Sequence, residues 1–251
     1  MFEIKNIQAY NVFLFYVRCP MLDKSLFKNK RFYIWDFDGC FCNSEPYHLL
    51  AYDKAFKDFG HSLDKKEYFL NFNHLGLGLK HEIETHRLSC DPKALKDRKN
   101  HYYMEYIEKG QIKVFETMAK ILPLIKSFGA RIAIASNSPA YEIEKILEKT
   151  QFLDFLDLIQ GYEEKLKKKP EPDIFLAAME KLSANKDNSV IFEDSQRGLL
   201  AAKKSACQTN IWIRTKENKS FETSVPVNAS LTHEELYEAL KLQKESIDVD
   251  G

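Results

Sequence analysis

The sequence has no excess charge of either sign and no long hydrophobic run. Lys plus Arg and Asp plus Glu number 37 each, so no overall charge attracts the chain to nucleic acid or to an anionic membrane. The apolar run at 11–17 is too short to span a bilayer, and no small-residue cleavage site typical of a signal peptide follows it. We therefore expect no nucleic-acid or membrane partner, and we interpret residues 1–30 as an N-terminal extension.

Cysteine is scarce, and its spacing is not that of a cysteine zinc site. The five cysteines are scattered along the chain, without a CxxC pair of the kind that zinc ribbons contain. An odd number of thiols in a chain of this length is also a poor basis for a disulfide scaffold. We therefore expect reduced thiols and a cytoplasmic location.

Five short apolar runs predict β-strands, because each is bounded by turn-forming or polar residues. They cover 32–35, 130–135, 155–160, 189–192 and 210–213. Helix-like segments separate most of them, and alternating strands and helices are typical of a parallel α/β sheet. We therefore predict a doubly wound, Rossmann-like parallel sheet.

One long segment differs from this pattern. Residues 48–113 are polar and helix-like, contain no comparable strand run and are interrupted by Gly76 and Gly78. We interpret this segment as a helical cap inserted into an α/β core that comprises residues 31–47 and 114–251.

Capping signals mark the start of two predicted helices. Ser138 is a natural N-cap with Pro139 at the first helical position. Thr232 and Glu235 have the spacing of a capping box ahead of an amphipathic helix that extends through Leu242. A further helix is predicted from about 198 to 205, after the strand at 189–192.

Polar side chains follow three of the predicted strands at the point where each strand ends. They are Asp36, Asp38, Ser136, Glu193 and Asp194. Open parallel sheets bind ligands at the carboxyl ends of their strands, so four carboxylates are expected to meet in one crevice. Their mutual repulsion calls for a divalent cation, and oxygen ligands with room for a substrate suit Mg²⁺.

A cation that holds an anionic group is also expected, and Lys169 in KPEPD is the candidate because nearby prolines stiffen its backbone. Each motif alone has an ordinary structural interpretation. Asp38-Gly39 alone would be a turn, Ser138-Pro139 a helix start and Glu193-Asp194 a solvated loop. Their joint placement after successive strands favours a functional site.

Four ordered motifs resemble those of the haloacid dehalogenase superfamily, in the branch with a helical cap. They are DFDGCFCNSE from Asp36, ASNSP around Ser136, KPEPDIF from Lys169 and FEDSQRG around Glu193. The match extends from about residue 31 to 215. A single DxD would mean little, whereas four motifs in the same order are a specific signal.

The resemblance implies a role for each matching residue. Asp36 would attack phosphorus and become an aspartyl phosphate, and Asp38 would act first as general acid and then as general base. It further implies the following ligands: Ser136, Asn137 and Lys169 for the phosphoryl oxygens, and Asp36, Asp194 and the backbone carbonyl of Asp38 for Mg²⁺, with Glu193 supporting the metal. The expected activity is hydrolysis of a small phosphorylated metabolite, such as a sugar phosphate.

A closer likeness is to β-phosphoglucomutases and related sugar-phosphate phosphatases. His48 occupies a position near the cap hinge, and Lys99 lies in a cap segment where the mutases place a lysine near the active site. The plain alternatives are a packing residue for His48 and a solvated surface charge for Lys99. We favour a phosphatase, with a sugar phosphomutase as the alternative enzyme. A catalytically silent binding protein is disfavoured because Asp36 and Lys169 are both present.

Overall fold

The computed structural model describes residues 25–250, and the side chains of residues 25–247. Its centre is a six-stranded sheet in the order β3-β2-β1-β4-β5-β6, in which every neighbouring pair is parallel. The strands are β1 Phe32–Trp35, β2 Arg131–Ala135, β3 Leu158–Gln160, β4 Ser189–Glu193, β5 Asn210–Ile213 and β6 Ala229–Leu231. The predicted parallel α/β fold is confirmed.

Helices cover both faces of the sheet, because successive strand residues point to opposite sides. Tyr33 and Trp35 pack in one core and Ile34 packs in the other. The helices on the Trp35 side are α5 Met118–Ser127, α6 Ala140–Leu147 and α9 His233–Asp250, and those on the Ile34 side are α7 Asp173–Leu182 and α8 Gln196–Lys204. The doubly wound arrangement therefore leaves the carboxyl ends of the strands as the open edge.

The cap is helical, as predicted. It comprises α1 Glu45–Lys57, α2 Lys65–Glu67, a π-helical segment Tyr68–His74, α3 Gly78–Thr85 and α4 Pro92–Glu108. Phe56, Tyr68, Phe72 and Leu95 form part of a separate hydrophobic cluster. The first helix begins at Glu45, three residues ahead of the predicted boundary at 48, because Pro46 sits at the start of the helix, where its missing N–H costs nothing.

Several local predictions need correction. A 3₁₀ turn at Leu153–Phe155 replaces the first part of the predicted strand 155–160, and the edge strand Ala229–Leu231 was not predicted because it has only three residues. Helix α6 begins at Ala140 with Pro139 as its N-cap, so Ser138 does not cap it.

The capping box of α9 is confirmed. The Thr232 hydroxyl accepts the Glu235 N–H at 3.2 Å, and the Glu235 carboxylate accepts the Thr232 N–H at 2.8 Å. The helix extends to Asp250, beyond its predicted end at Leu242. Most of the predicted extension at 1–30 lies outside the described residues, but Phe27 packs in the core against Tyr33, with a ring separation of 6.2 Å. No helix between residues 25 and 250 is long and apolar enough to cross a membrane.

Candidate active site

The site forms where three neighbouring strands end at the same level. Trp35 at the end of β1 aligns with Ile134 of β2 and Phe192 of β4. The next residues along these strands are therefore brought to one edge of the sheet, where they line a cavity of about 220 Å³ together with residues of the cap. The predicted residues that line it are Asp36, Asp38, His48, Lys99, Ser136, Asn137, Lys169, Glu193 and Asp194.

Lys169 occupies the centre of the buried part of the site. Its Nζ donates to Asp36 Oδ1 at 2.5 Å, to Glu193 Oε1 at 2.7 Å and to the Ala135 carbonyl at 2.8 Å. Its backbone N–H donates to Asn137 Oδ1 at 2.9 Å, which fixes the loop that carries it. Burial lowers the pKa of Lys169, but the two carboxylates outweigh burial and raise it, so this side chain stays charged.

Three buried carboxylates, those of Asp36, Glu193 and Asp194, lie beside this lysine. One ligand oxygen of each lies within 4.8 Å of the others. Burial first, and then the neighbouring carboxylate of Glu193, raise the pKa of Asp36 to about 8 against the opposing effect of Lys169. Burial first, and then the carboxylates of Asp36 and Glu193, raise the pKa of Asp194 well above its usual value. One lysine does not balance three carboxylates, so the set fits a divalent cation with oxygen ligands.

Two glycines allow this close packing of acidic groups. Gly39 adopts φ +78°, and a Cβ there would overlap Asp194 Oδ2. A Cβ at Gly198, near the start of α8, would overlap the Glu193 carboxylate. Because glycine has no Cβ, the Asp194 and Glu193 carboxylates can occupy these positions.

Asp38 has a different environment from the other carboxylates, because hydroxyls and an imidazole surround it. Oδ1 accepts from the Ser44 hydroxyl at 2.6 Å and lies 3.1 Å from His48 Nε2. Oδ2 accepts from Ser138 at 2.6 Å, with Ser136 Oγ at 3.4 Å. Burial raises the pKa of Asp38, but His48, Ser138 and Ser44 outweigh it and hold this pKa below its usual range.

The cap supplies His48 and Lys99 to the same cavity. The His48 ring stacks on Tyr103 with centroids 3.9 Å apart, while Lys99 Nζ lies 4.5 Å from the Tyr103 ring and 5.3 Å from the Tyr52 ring. Lys99 is 7% exposed, so its interpretation as a solvated surface charge is wrong. Burial lowers its pKa.

The sequence interpretation gave no site role to several polar residues that line or contact the cavity. Some lie in or beside the motifs, namely Ser44, Glu45, Ser138, Lys168, Ser195 and Arg197, and others lie in the cap, namely Tyr52, Tyr68 and Asn73. Ser138 had been assigned to a helix cap, and Ser44 was noted only as part of a motif. Lys168 directly precedes the motif residue Lys169, and Arg197 lies within FEDSQRG. Proximity to a motif was therefore the available signal for the residues outside the cap.

Comparison with known proteins places the chain in a family. The model of the haloacid dehalogenase-like hydrolase family matches residues 33–211, so the chain belongs to that family. Protein CbbY of Rhodobacter capsulatus is 28% identical over 184 residues, which cover 68% of this chain and 79% of CbbY.

Two further relatives differ in the activity that their names state. The phosphorylated carbohydrates phosphatase of Thermotoga maritima is 25% identical over 182 residues, 70% of this chain and 81% of that protein. The crystal structure of β-phosphoglucomutase from Clostridium difficile superposes with a TM-score of 0.70 at 21% identity, covering 88% of this chain and 99% of that one. Similarity to these proteins therefore does not distinguish a phosphatase from a mutase.

Proposed function

We propose that the protein is a Mg²⁺-dependent phosphatase that hydrolyses the phosphate ester of a small metabolite through an aspartyl-phosphate intermediate on Asp36. The observation that carries the proposal is the contact of Lys169 with both Asp36 and Glu193 at the base of the cavity. A lysine held in this position would attract a phosphoryl group to the oxygen that attacks it.

The proposed roles follow the contacts of each side chain. Asp36 Oδ attacks phosphorus, and the leaving oxygen departs with a proton. Asp38 gives a proton to the leaving oxygen and then accepts one from the water that attacks phosphorus and releases Asp36. Its surroundings favour the ionised form, so this role requires Asp38 to take up a proton when the anionic substrate binds. Its Oδ1 lies 3.1 Å from His48 Nε2. Ser136, Asn137 and Lys169 hold the phosphoryl oxygens.

The metal would be held by Asp36, Asp194 and the Asp38 backbone carbonyl, with Glu193 supporting it. When bound, Mg²⁺ would neutralise the clustered carboxylates and the charge of the phosphoryl group. The buried acidic set and the raised pKa values of Asp36 and Asp194 support this assignment. Among residues 25–250, Lys169 favours the ionised form of Asp36.

The basic residues of the cavity favour a polar, negatively charged substrate. Lys99, Lys168 and Arg197 line the cavity, together with Asn73 and the acidic Glu45. A cavity of about 220 Å³ suits a phosphoryl group attached to a short polar chain rather than a polymer. A sugar phosphate is therefore the proposed substrate class.

A sugar phosphomutase is the alternative, and the burial of Lys99 in the cavity favours it. A mutase would keep its phosphoenzyme from water and return the phosphoryl group to another hydroxyl. Isomerisation of glucose 1-phosphate that requires a bisphosphate activator would identify this activity.

The test is phosphate release from p-nitrophenyl phosphate, with Mg²⁺ and with EDTA. We expect turnover that EDTA abolishes and that Asp36→Asn lowers by about 10³-fold or more. Asp97→Asn is the matched control, because it makes the same change at an exposed carboxylate on α4. Turnover that survives Asp36→Asn would refute the nucleophile. If neither condition gives turnover but glucose 1-phosphate is isomerised, the alternative replaces the phosphatase.

A further inference from the structure

A second group of metal-ligand side chains lies in the cap and shares no residue with the active site. His61 is in the loop after α1, Glu82 is on α3, and His86 follows that helix at its carboxyl end. One ligand atom of each lies within 4.8 Å of the others. Glu82 and His86 have i, i+4 spacing, which places them on one face of the helix.

The carboxylate of Glu82 is buried in the cap. This residue is the one buried residue of α3 and is 2% exposed. Its Oε1 lies 2.7 Å from His61 Nε2 and 3.4 Å from His86 Nε2. A carboxylate taken out of water is costly unless a positive charge compensates it.

The two imidazoles converge on this carboxylate. His61 Nε2 and His86 Nε2 both approach Glu82 Oε1, and the ring centroids are 4.7 Å apart. A hydrogen bond from one ring uses only that ring, whereas a divalent cation between the three side chains binds the carboxylate and a nitrogen of each imidazole together.

We propose that His61, Glu82 and His86 bind Zn²⁺. Two imidazole nitrogens and one carboxylate oxygen are typical zinc ligands. A tetrahedral zinc ion separates its nitrogen and oxygen ligands by about 3.3 Å, close to the 3.4 Å between His86 Nε2 and Glu82 Oε1. His61 Nε2 lies 2.7 Å from the same oxygen, so its ring would move outward by about 0.6 Å when zinc binds. Glu67 Oε2, 3.8 Å from His86 Nε2, or a water molecule completes the coordination.

Zinc in this position would cross-link three segments of the cap. The loop after α1 carries His61, α2 carries Glu67, and α3 with its carboxyl end carries Glu82 and His86. The site would therefore stabilise the cap without taking part in phosphate chemistry, and metal affinity and thermal stability are its appropriate readouts.

The test is a competition titration of the metal-stripped full-length chain with Zn²⁺ against a chromophoric chelator. Excess Mg²⁺ is present to occupy the carboxylates of the active site. We expect one Zn²⁺ per chain, and a melting temperature that rises by several degrees when Zn²⁺ exceeds its Kd about 100-fold. His86→Gln should weaken Zn²⁺ binding by about 100-fold or more, and it should fold because His86 is partly exposed.

His81→Gln is the matched control, since it makes the same change on α3 at a histidine outside the group. It should bind Zn²⁺ as the wild type does, and Glu82→Gln should weaken binding as His86→Gln does. Replacement by Co²⁺ should give the visible absorption of a tetrahedral site. Absence of Zn²⁺ binding, or equal affinity in the wild type and the His86→Gln variant, would overturn the proposal.

Discussion

The hydroxyl of Ser138 donates a 2.6 Å hydrogen bond to Oδ2 of Asp38, across 100 residues of sequence. Together with Ser44 on Oδ1, it holds the carboxylate in one orientation above the cavity. Asp38 is the proposed acid and base, so its orientation decides whether it faces the leaving oxygen. Ser138 is therefore a positioning residue of the proposed reaction.

We predict that Ser138→Ala lowers kcat for p-nitrophenyl phosphate by about tenfold or more, because a hydrogen bond to a charged group typically contributes about 1.5–3 kcal/mol. KM should change less than kcat, since Lys169 and Ser136 remain in place to hold the phosphoryl group. Steady-state kinetics at saturating Mg²⁺ measure both constants. Ser138→Thr retains the hydroxyl and should recover most of kcat; equal losses in the two variants would contradict this role.

A second prediction concerns Gly198, whose Cβ would overlap the Glu193 carboxylate. Alanine normally stabilises a helix relative to glycine by up to about 1 kcal/mol. At this position we expect Gly198→Ala to lower both the melting temperature and the phosphatase activity, because Glu193 must move away from Lys169. Thermal unfolding and p-nitrophenyl phosphate turnover check this.

Lys203→Ala is the control for that variant, since it introduces alanine at an exposed position of the same helix. It should leave activity and melting temperature nearly unchanged. A Gly198→Ala protein that is more stable than the wild type and equally active would show that the helix can shift to make room.

The strand ends of this fold could be predicted from the sequence because the pattern that marks them is local. Apolar runs ending in Asp36, Ser136 and Glu193-Asp194 contain both the buried strand and its polar end within a few residues. The capping box at Thr232 is equally local, since its two partners are three residues apart. Parallel pairing then brings the ends together without further information.

The features that sequence did not reveal depend on long-range packing. Ser138 has the same local pattern whether it caps a helix or binds Asp38, and only the fold decides between them. Lys99 lies on a polar helix, and its burial results from the aromatic rings of the cap. His61 and Glu82 are 21 residues apart in sequence, at a spacing that matches no short metal motif.

A third prediction concerns pH and His233. Its Nε2 lies 2.7 Å from the Cys40 carbonyl, to which it donates as a neutral imidazole, and burial lowers its pKa below the usual 6.5. The unfolded chain therefore binds a proton at a higher pH than the folded protein does. The contribution of His233 to stability should be present above about pH 6.5 and lost as the pH falls.

We expect His233→Gln to unfold more easily than the wild type at pH 7.5, and the difference between them to shrink toward pH 5. Urea unfolding at several pH values measures the free energy of unfolding of both proteins. His101→Gln, at an exposed histidine of α4, should leave the wild-type pH dependence unchanged. A difference that stays constant with pH would contradict a neutral, buried His233.

The last prediction concerns the coupling of Lys169 to the carboxylates around it. Lys169→Met removes the positive charge that contacts Asp36 and Glu193 and should lower the free energy of unfolding by about 3–5 kcal/mol, as expected when one partner of a buried ion pair is lost. Asp36→Asn in the same chain removes one uncompensated carboxylate. The double variant should therefore be more stable than the sum of the two single changes predicts, by about 0.5–3 kcal/mol.

Added Mg²⁺ should restore part of the stability of Lys169→Met, because a divalent cation replaces the missing positive charge beside Asp36, Glu193 and Asp194. Urea unfolding of the four proteins of the cycle, with Mg²⁺ and with EDTA, measures both effects. Lys203→Met, on the surface of α8, is the control and should show neither. Strict additivity of the two substitutions would mean that Lys169 and Asp36 are not energetically coupled, and an equal loss with and without Mg²⁺ would argue against a cation held by these carboxylates.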